Sequence, residues 1–152
     1  PQVVATGKPS LDAAPQSVAR TRQGSAADAD FADAIDREVR GAGRGPDHVW
    51  IADVATMYVV DDAGGRGYAY IRDREVYLLA ATDDETATAL LWRCFTHVVE
   101  QDNEANIEHI SGEQQWAITA ALDARLNIKP GGPVFWRGMT PPRAYLPSGA
   151  FL

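Results

Sequence analysis

The sequence predicts one α/β domain in which about six to seven strands are interleaved with about four helices. Three observations carry this expectation. Apolar residues recur at three- and four-residue spacing in separate stretches, the period drops to two in others, and glycine, proline and aspartate clusters punctuate them. The third is size: 152 residues, 45% hydrophobic and 23% charged, are enough for one core and too few for two complete domains.

Residues 1–15 mix Pro, Gly, Ser and Ala with few large apolar side chains. Such a composition gains little from burial, so a linker is expected there, followed by a domain over residues 16–152. Residues 17–23 are the expected first strand. Ser25 and Asp28 have capping-box spacing, and Phe31, Ile35 and Val39 then predict an amphipathic helix stopped by Gly41 and Gly43. Pro46 and Asp47 open a shorter helix carrying Val49, Trp50 and Val54.

From Thr56 the alternation Met57, Tyr58, Val59, Val60 predicts a strand, and the run from Asp61 to Gly65 a turn. Residues 68–71 form the next strand, and residues 75–81, apolar on both faces, a central buried one. Thr82, Asp83 or Asp84 caps a long helix lined by Ala87, Leu91, Cys94 and Val98 and widened by Leu90 and Phe95. Residues 106–110 read as a strand and Gly112 as a break. A last helix carries Ile118, Leu122 and Leu126 and is stopped by residues 129–133. Residues 133–137 and 144–152 supply two final strands on either side of Pro141 and Pro142.

A net charge of −7, from 14 Lys and Arg against 21 Asp and Glu, repels nucleic-acid phosphates and anionic lipid, so neither is an expected partner. The single cysteine excludes an internal disulfide and a cysteine metal cluster, and points to a reducing cytoplasm. No apolar run reaches the roughly 18 residues of a membrane span, and no signal-peptide core opens the chain.

The element order, with Asp36-Arg37-Glu38-Val39-Arg40-Gly41-Ala42, Gly45-Pro46-Asp47-His48 and the terminal Tyr145-Leu146-Pro147-Ser148-Gly149-Ala150-Phe151-Leu152, resembles the GNAT superfamily of acyl-CoA-dependent N-acyltransferases. The two quoted segments resemble the C-terminal lobes of actinobacterial tandem-GNAT proteins, which implies an upstream lobe before Pro1. The resemblance implies a mixed, mostly antiparallel central sheet, acetyl-CoA or another acyl-CoA as cofactor, and an amine-bearing small molecule or protein as acceptor. An upstream GNAT lobe or a second copy in a homodimer is the implied partner.

In the family, the strand matching residues 76–81 feeds a loop of the form R/Q-x-x-G-x-G/A, whose N–H groups and following helix receive the cofactor pyrophosphate. Here Ala81 passes through Thr82, Asp83, Asp84, Glu85 and Thr86 into the helix, about four residues shorter and with no glycine. The three carboxylates occupy the positive end of the helix dipole themselves. The family's late-helix tyrosine would fall between Ala121 and Asp123, where there is none.

The resemblance therefore implies a degenerate lobe of a tandem acyltransferase. Two alternatives stand beside it: an active N-acyltransferase with a non-standard cofactor site, and a non-enzymatic ligand- or protein-binding module. For an active enzyme, the backbone edge of Leu79, Ala80 and Ala81 is the candidate cofactor contact.

Two histidines are candidate general bases, because imidazole titrates near neutrality. His109 lies on a strand beside the expected acyl site, the alternative being an ordinary strand histidine. His48 follows Asp47, which is placed to orient it; the alternative is an aspartate cap with His48 exposed. His97 reads as a helix-surface residue, Cys94 as a small core hydrophobe. The scattered histidines lack zinc-site spacing, so no metal is expected. Trp50, Trp92, Trp116 and Trp136 are mostly core candidates.

Overall fold

A computed structural model describes residues 1–133, 135 and 137–150. In chain order the elements are β1 (Gln2–Gly7), β2 (Arg22–Gln23), α1 (Ala29–Arg40), α2 (Asp47–Val54), β3 (Thr56–Asp62), β4 (Gly65–Arg72), β5 (Glu75–Ala81), α3 (Asp84–Glu100), β6 (Ala105–Ser111), α4 (Gln115–Asp123), β7 (Asn127–Pro130) and β8 (Tyr145–Leu146). The fold is mixed α/β: among the described residues, four helices accompany one mostly antiparallel open sheet of eight strands.

The central meander forms as its alternation requires. Met57 and Val59 join Tyr68, Tyr70, Leu78 and Ala80 under α1 and α2, while Tyr58, Val60, Ala69, Ile71 and Leu79 face the larger core beneath α3 and α4. The capping box at Ser25 and Asp28 closes reciprocally and leads through a 3-10 turn into α1. Gly41 ends α1 at φ 80, a left-handed conformation that glycine adopts without a Cβ clash.

The strand order is β2-β3-β4-β5-β6-β1-β7, with β8 added to β5. Neighbours pair antiparallel except β5 and β6, which run parallel and meet in register only at Glu75 and Asn106. Beyond that point they diverge, and β8 fills the gap against β5 with Leu146 opposite Leu79 and Tyr145 opposite Ala80.

Five local expectations are corrected. Residues 1–15 hold β1, an internal strand between β6 and β7 rather than a linker. Neighbours on both sides satisfy its backbone, so Val3, Val4 and Ala5 suffice as side chains. Residues 17–23 are mostly a 3-10 turn, Gln16–Arg20, and the edge strand is only Arg22–Gln23. The strand after α4 is the edge strand Asn127–Pro130 rather than residues 133–137, of which Val134 and Trp136 lie outside the described residues.

In the stretch 144–152 only Tyr145–Leu146 is strand; Phe151 and Leu152 lie outside the described residues. On α4 the buried face is Trp116, Ala117, Ala120 and Ala121, while Leu122 points outward at 59% exposure. Small side chains let α4 approach α3 closely, so alanines do the work expected of leucines. Trp92 and Trp116 are core, whereas Trp50 is half exposed.

Close packing of β4 on β5 gives a direct test. A Cβ on Gly67 would lie 2.8 Å from the Ala80 carbonyl oxygen and 2.9 Å from Leu90 Cδ1. Because the first of these is backbone, Gly67→Ala is expected to cost about 1–3 kcal/mol, read as a lower thermal midpoint with unchanged far-UV dichroism. No described helix is long and apolar enough to cross a membrane.

Candidate functional site

The edge of β5 and the start of α3 meet where the resemblance places a cofactor. Asp83 caps α3: Oδ1 accepts from the Thr86 N–H at 2.8 Å, and Oδ2 accepts from the hydroxyls of Thr86 at 2.8 Å and Thr82 at 3.2 Å. Asp84 is paired with Arg143 at 2.8 Å, and Glu38 with Arg66 at 2.6 Å. A cleft of about 470 Å³ lies here, lined by Glu38, Thr82, Asp83, Asp84 and Arg143.

The edge formed by Leu79, Ala80 and Ala81 is occupied by the chain itself. The Ala81 N–H donates to the Ala144 carbonyl at 2.9 Å, and Leu79 and Ala80 pair with β8. Tyr145, Leu146 and Ser148 are buried in the gap between β5 and β6.

His109 borders the same gap. It sits at a bulge where Glu108 and His109 together oppose Val4 of β1, and its φ of 60 is left-handed, which histidine tolerates better than bulkier residues. Its Nδ1 lies 3.0 Å from Gln2 Oε1, and Gly149 is packed against its Nε2. A Cβ on Gly149 would stand 3.1 Å from that nitrogen. His109 is thus held by β1 and by the segment that fills the gap.

His48 is not where either reading of it led. It is fully buried, and Asp36 rather than Asp47 engages it, with Nε2 3.0 Å from Asp36 Oδ2 and Nδ1 3.2 Å from the Tyr70 hydroxyl. A helix that begins at Asp47 turns its second residue inward, toward β4. Asp36 also accepts from the Tyr68 hydroxyl and pairs with Arg44 at 3.2 Å, and Arg44 donates to the Tyr145 hydroxyl.

This network ties α1, α2 and the loop between them to β4 and β8. Burial, then the Asp36 charge, pushes the Tyr68 and Tyr70 phenols up, and burial pushes Tyr145 up against the opposing pull of Arg44. The three phenols therefore stay protonated at neutral pH; Tyr68 donates to Asp36, while Tyr145 accepts from Arg44. Asp36, His48, Tyr68 and Tyr70 are all fully buried, so the arrangement fastens these elements to one another from inside.

Sequence reasoning missed Asp36, Tyr68, Tyr70, Arg44 and Tyr145 as one group. A signal existed: Asp36 falls four residues after Ala32, on the face of α1 that Ile35 buries, and Tyr68 and Tyr70 alternate onto one face of β4.

On the other side of the sheet, His97 of α3 lies with Nδ1 2.8 Å from the Tyr58 hydroxyl, and the Arg93 guanidinium sits 4.6 Å from the Tyr58 ring centroid. Cys94 is buried, which pushes its thiol up to about 12, outside the range of a nucleophile. Among the described residues no group of three or more His, Cys, Asp and Glu is placed to hold a metal ion. No protein-family model matches the chain, and no curated protein matches it.

Proposed function

We propose that the chain is a GNAT-like lobe that does not hold acyl-CoA in the family's usual manner and serves as a supporting lobe for an acyltransferase lobe of like fold. One observation carries this reading: β8 occupies the backbone edge of Leu79 and Ala80, and the Ala81 N–H is spent on Ala144. The α3 start supports it as well. Its capping need is met by Asp83, and a pyrophosphate would meet Asp83, Asp84 and Glu85 at a helix end that carries only about half a positive charge. An acyltransferase gripping its cofactor along Leu79, Ala80 and Ala81 would first have to strip β8 from the sheet.

The test is isothermal titration of the full chain with acetyl-CoA. The expected result is no heat beyond dilution. Saturable binding at about 10 μM or tighter, near −7 kcal/mol, would overturn the reading and favour an active enzyme with a non-standard cofactor site.

A further inference from the structure

A cleft of about 570 Å³ opens at the end of the sheet away from the α3 N-terminus, between the end of α2, the β4–β5 turn and the end of α3. Its charged and polar lining comes from Asp53, Arg72, Asp73, His97, Gln101 and Asn103. It has the volume of small-molecule clefts, which run from about 300 to 1,000 Å³.

Two features separate it from an ordinary polar hollow. First, it gathers charges of both signs that are not already spent. Like Asp30, Asp47, Asp61 and Asp123, the aspartates Asp53 and Asp73 form no ion pair with a described residue, and neither does Arg72, so both signs of unpaired charge share this one cleft. Second, its imidazole is held by a built relay. Tyr58 is 3% exposed, and a phenylalanine would fill the same volume, yet its hydroxyl is aimed at His97 Nδ1.

The relay has a direction. Burial pushes Tyr58 up, against the charge and hydrogen bond of Arg93, so the phenol keeps its proton. Burial lowers His97, with Glu100 opposing, so the ring is neutral at pH 7. The Tyr58 hydroxyl lies 2.8 Å from His97 Nδ1, and in the relay inferred here the phenol, which keeps its proton, donates to that nitrogen. In that arrangement the imidazole proton sits on Nε2, and His97 lines the cleft.

We propose that this cleft binds a small zwitterion of the amino-acid class, its carboxylate taken by Arg72 and the His97 Nε2–H and its ammonium by Asp53 and Asp73. Arg72 and a neutral imidazole N–H both suit a carboxylate, as acceptor-only groups need donors. The two aspartates supply the countercharge for an ammonium, while Gln101 and Asn103 offer amides to a polar side chain. Tyr58 is a positioning residue, acting through the His97 tautomer. The site is independent of acyl-CoA binding, since it lies at the opposite end of the sheet from β8 and the α3 cap.

The experiment is a ¹⁵N–¹H titration of the full chain with L-glutamine, alongside propionate and ethylammonium, which carry one charged end each. L-Glutamine is expected to shift Asp53, Asp73 and Asn103 amides and the His97 imidazole saturably, at a dissociation constant of about 1 mM, with either half-ligand at least about tenfold weaker. Arg72→Gln and Asp73→Asn should each weaken binding about tenfold with an unchanged melting curve, asparagine being tolerated at the φ of 53 found at Asp73.

Tyr58→Phe should move the His97 ¹⁵N shifts away from an Nε2–H tautomer and weaken L-glutamine binding. Shifts that do not saturate, that centre elsewhere, or that survive unchanged in Arg72→Gln and Asp73→Asn would overturn the proposal. Equal affinity for propionate would reduce the site to a simple anion pocket and equally reject a zwitterion.

Discussion

Asp36→Ala is expected to lower the unfolding free energy by about 3–5 kcal/mol, read from urea unfolding as a shifted midpoint at constant slope. Its effect follows from what stays behind. The Arg44 side chain is 5% exposed and His48 is fully buried, so without the carboxylate a guanidinium loses its countercharge and an imidazole and a phenol lose their acceptor. Removing one partner of a buried pair leaves the full desolvation cost of the other, whereas the pair itself contributes little net stability.

For a domain whose total stability is about 5–15 kcal/mol, such a loss approaches unfolding. Asp36→Asn retains an acceptor for Tyr68 and should cost visibly less. A loss below about 1 kcal/mol for the alanine variant would mean that Arg44 and His48 find water, and would refute the fastening role given to the network.

Phe95→Ala is the second large effect, expected at about 3–5 kcal/mol in the same assay. Phe95 is fully buried on α3 and meets Trp92 edge-on at 5.4 Å between ring centroids. The helix is clamped between the sheet and α4, so the walls have little freedom to collapse into the void. Leu122→Ala is the internal control: 59% exposed, it should change stability by no more than about 0.5 kcal/mol. Reading Leu122 as core from its spacing would predict the opposite ranking.

The part of the fold legible in the sequence is the part written locally. Hairpins β3–β4 and β4–β5 announce themselves by alternation and short turns, α1 by its capping box and glycine stop, and α3 by Asp83 and an apolar stripe. β1 and β7 were illegible because their stability is borrowed. Gln2–Gly7 is bounded by β6 and β7, and Asn127–Pro130 leans on β1 alone, so neither needs a strong apolar pattern of its own.

The sites divide in the same way. The absence of glycine and the three acids after Ala81 are visible in the chain, and Asp83, one of the three capping candidates Thr82, Asp83 and Asp84, caps α3. Which backbone covers the β5 edge is a long-range pairing across more than sixty residues, and nothing near Ala81 or Ala144 encodes it. The partner of His48 illustrates the point at the level of one side chain: Asp47 is adjacent in sequence but Asp36 is adjacent in space.

By itself, then, the sequence determined the mixed α/β class, the central meander and the acidic, capped start of α3, because these depend on periodicity, turn chemistry and local charge. Tertiary structure alone decided that β8 seals the diverging strands, that six polar side chains from distant segments share one buried network, and that His97, in contact with the Tyr58 hydroxyl, lines a cleft of mixed charge. These depend on which surfaces are brought together and desolvated, and a buried hydrogen bond has no counterpart in the order of residues until the chain has folded.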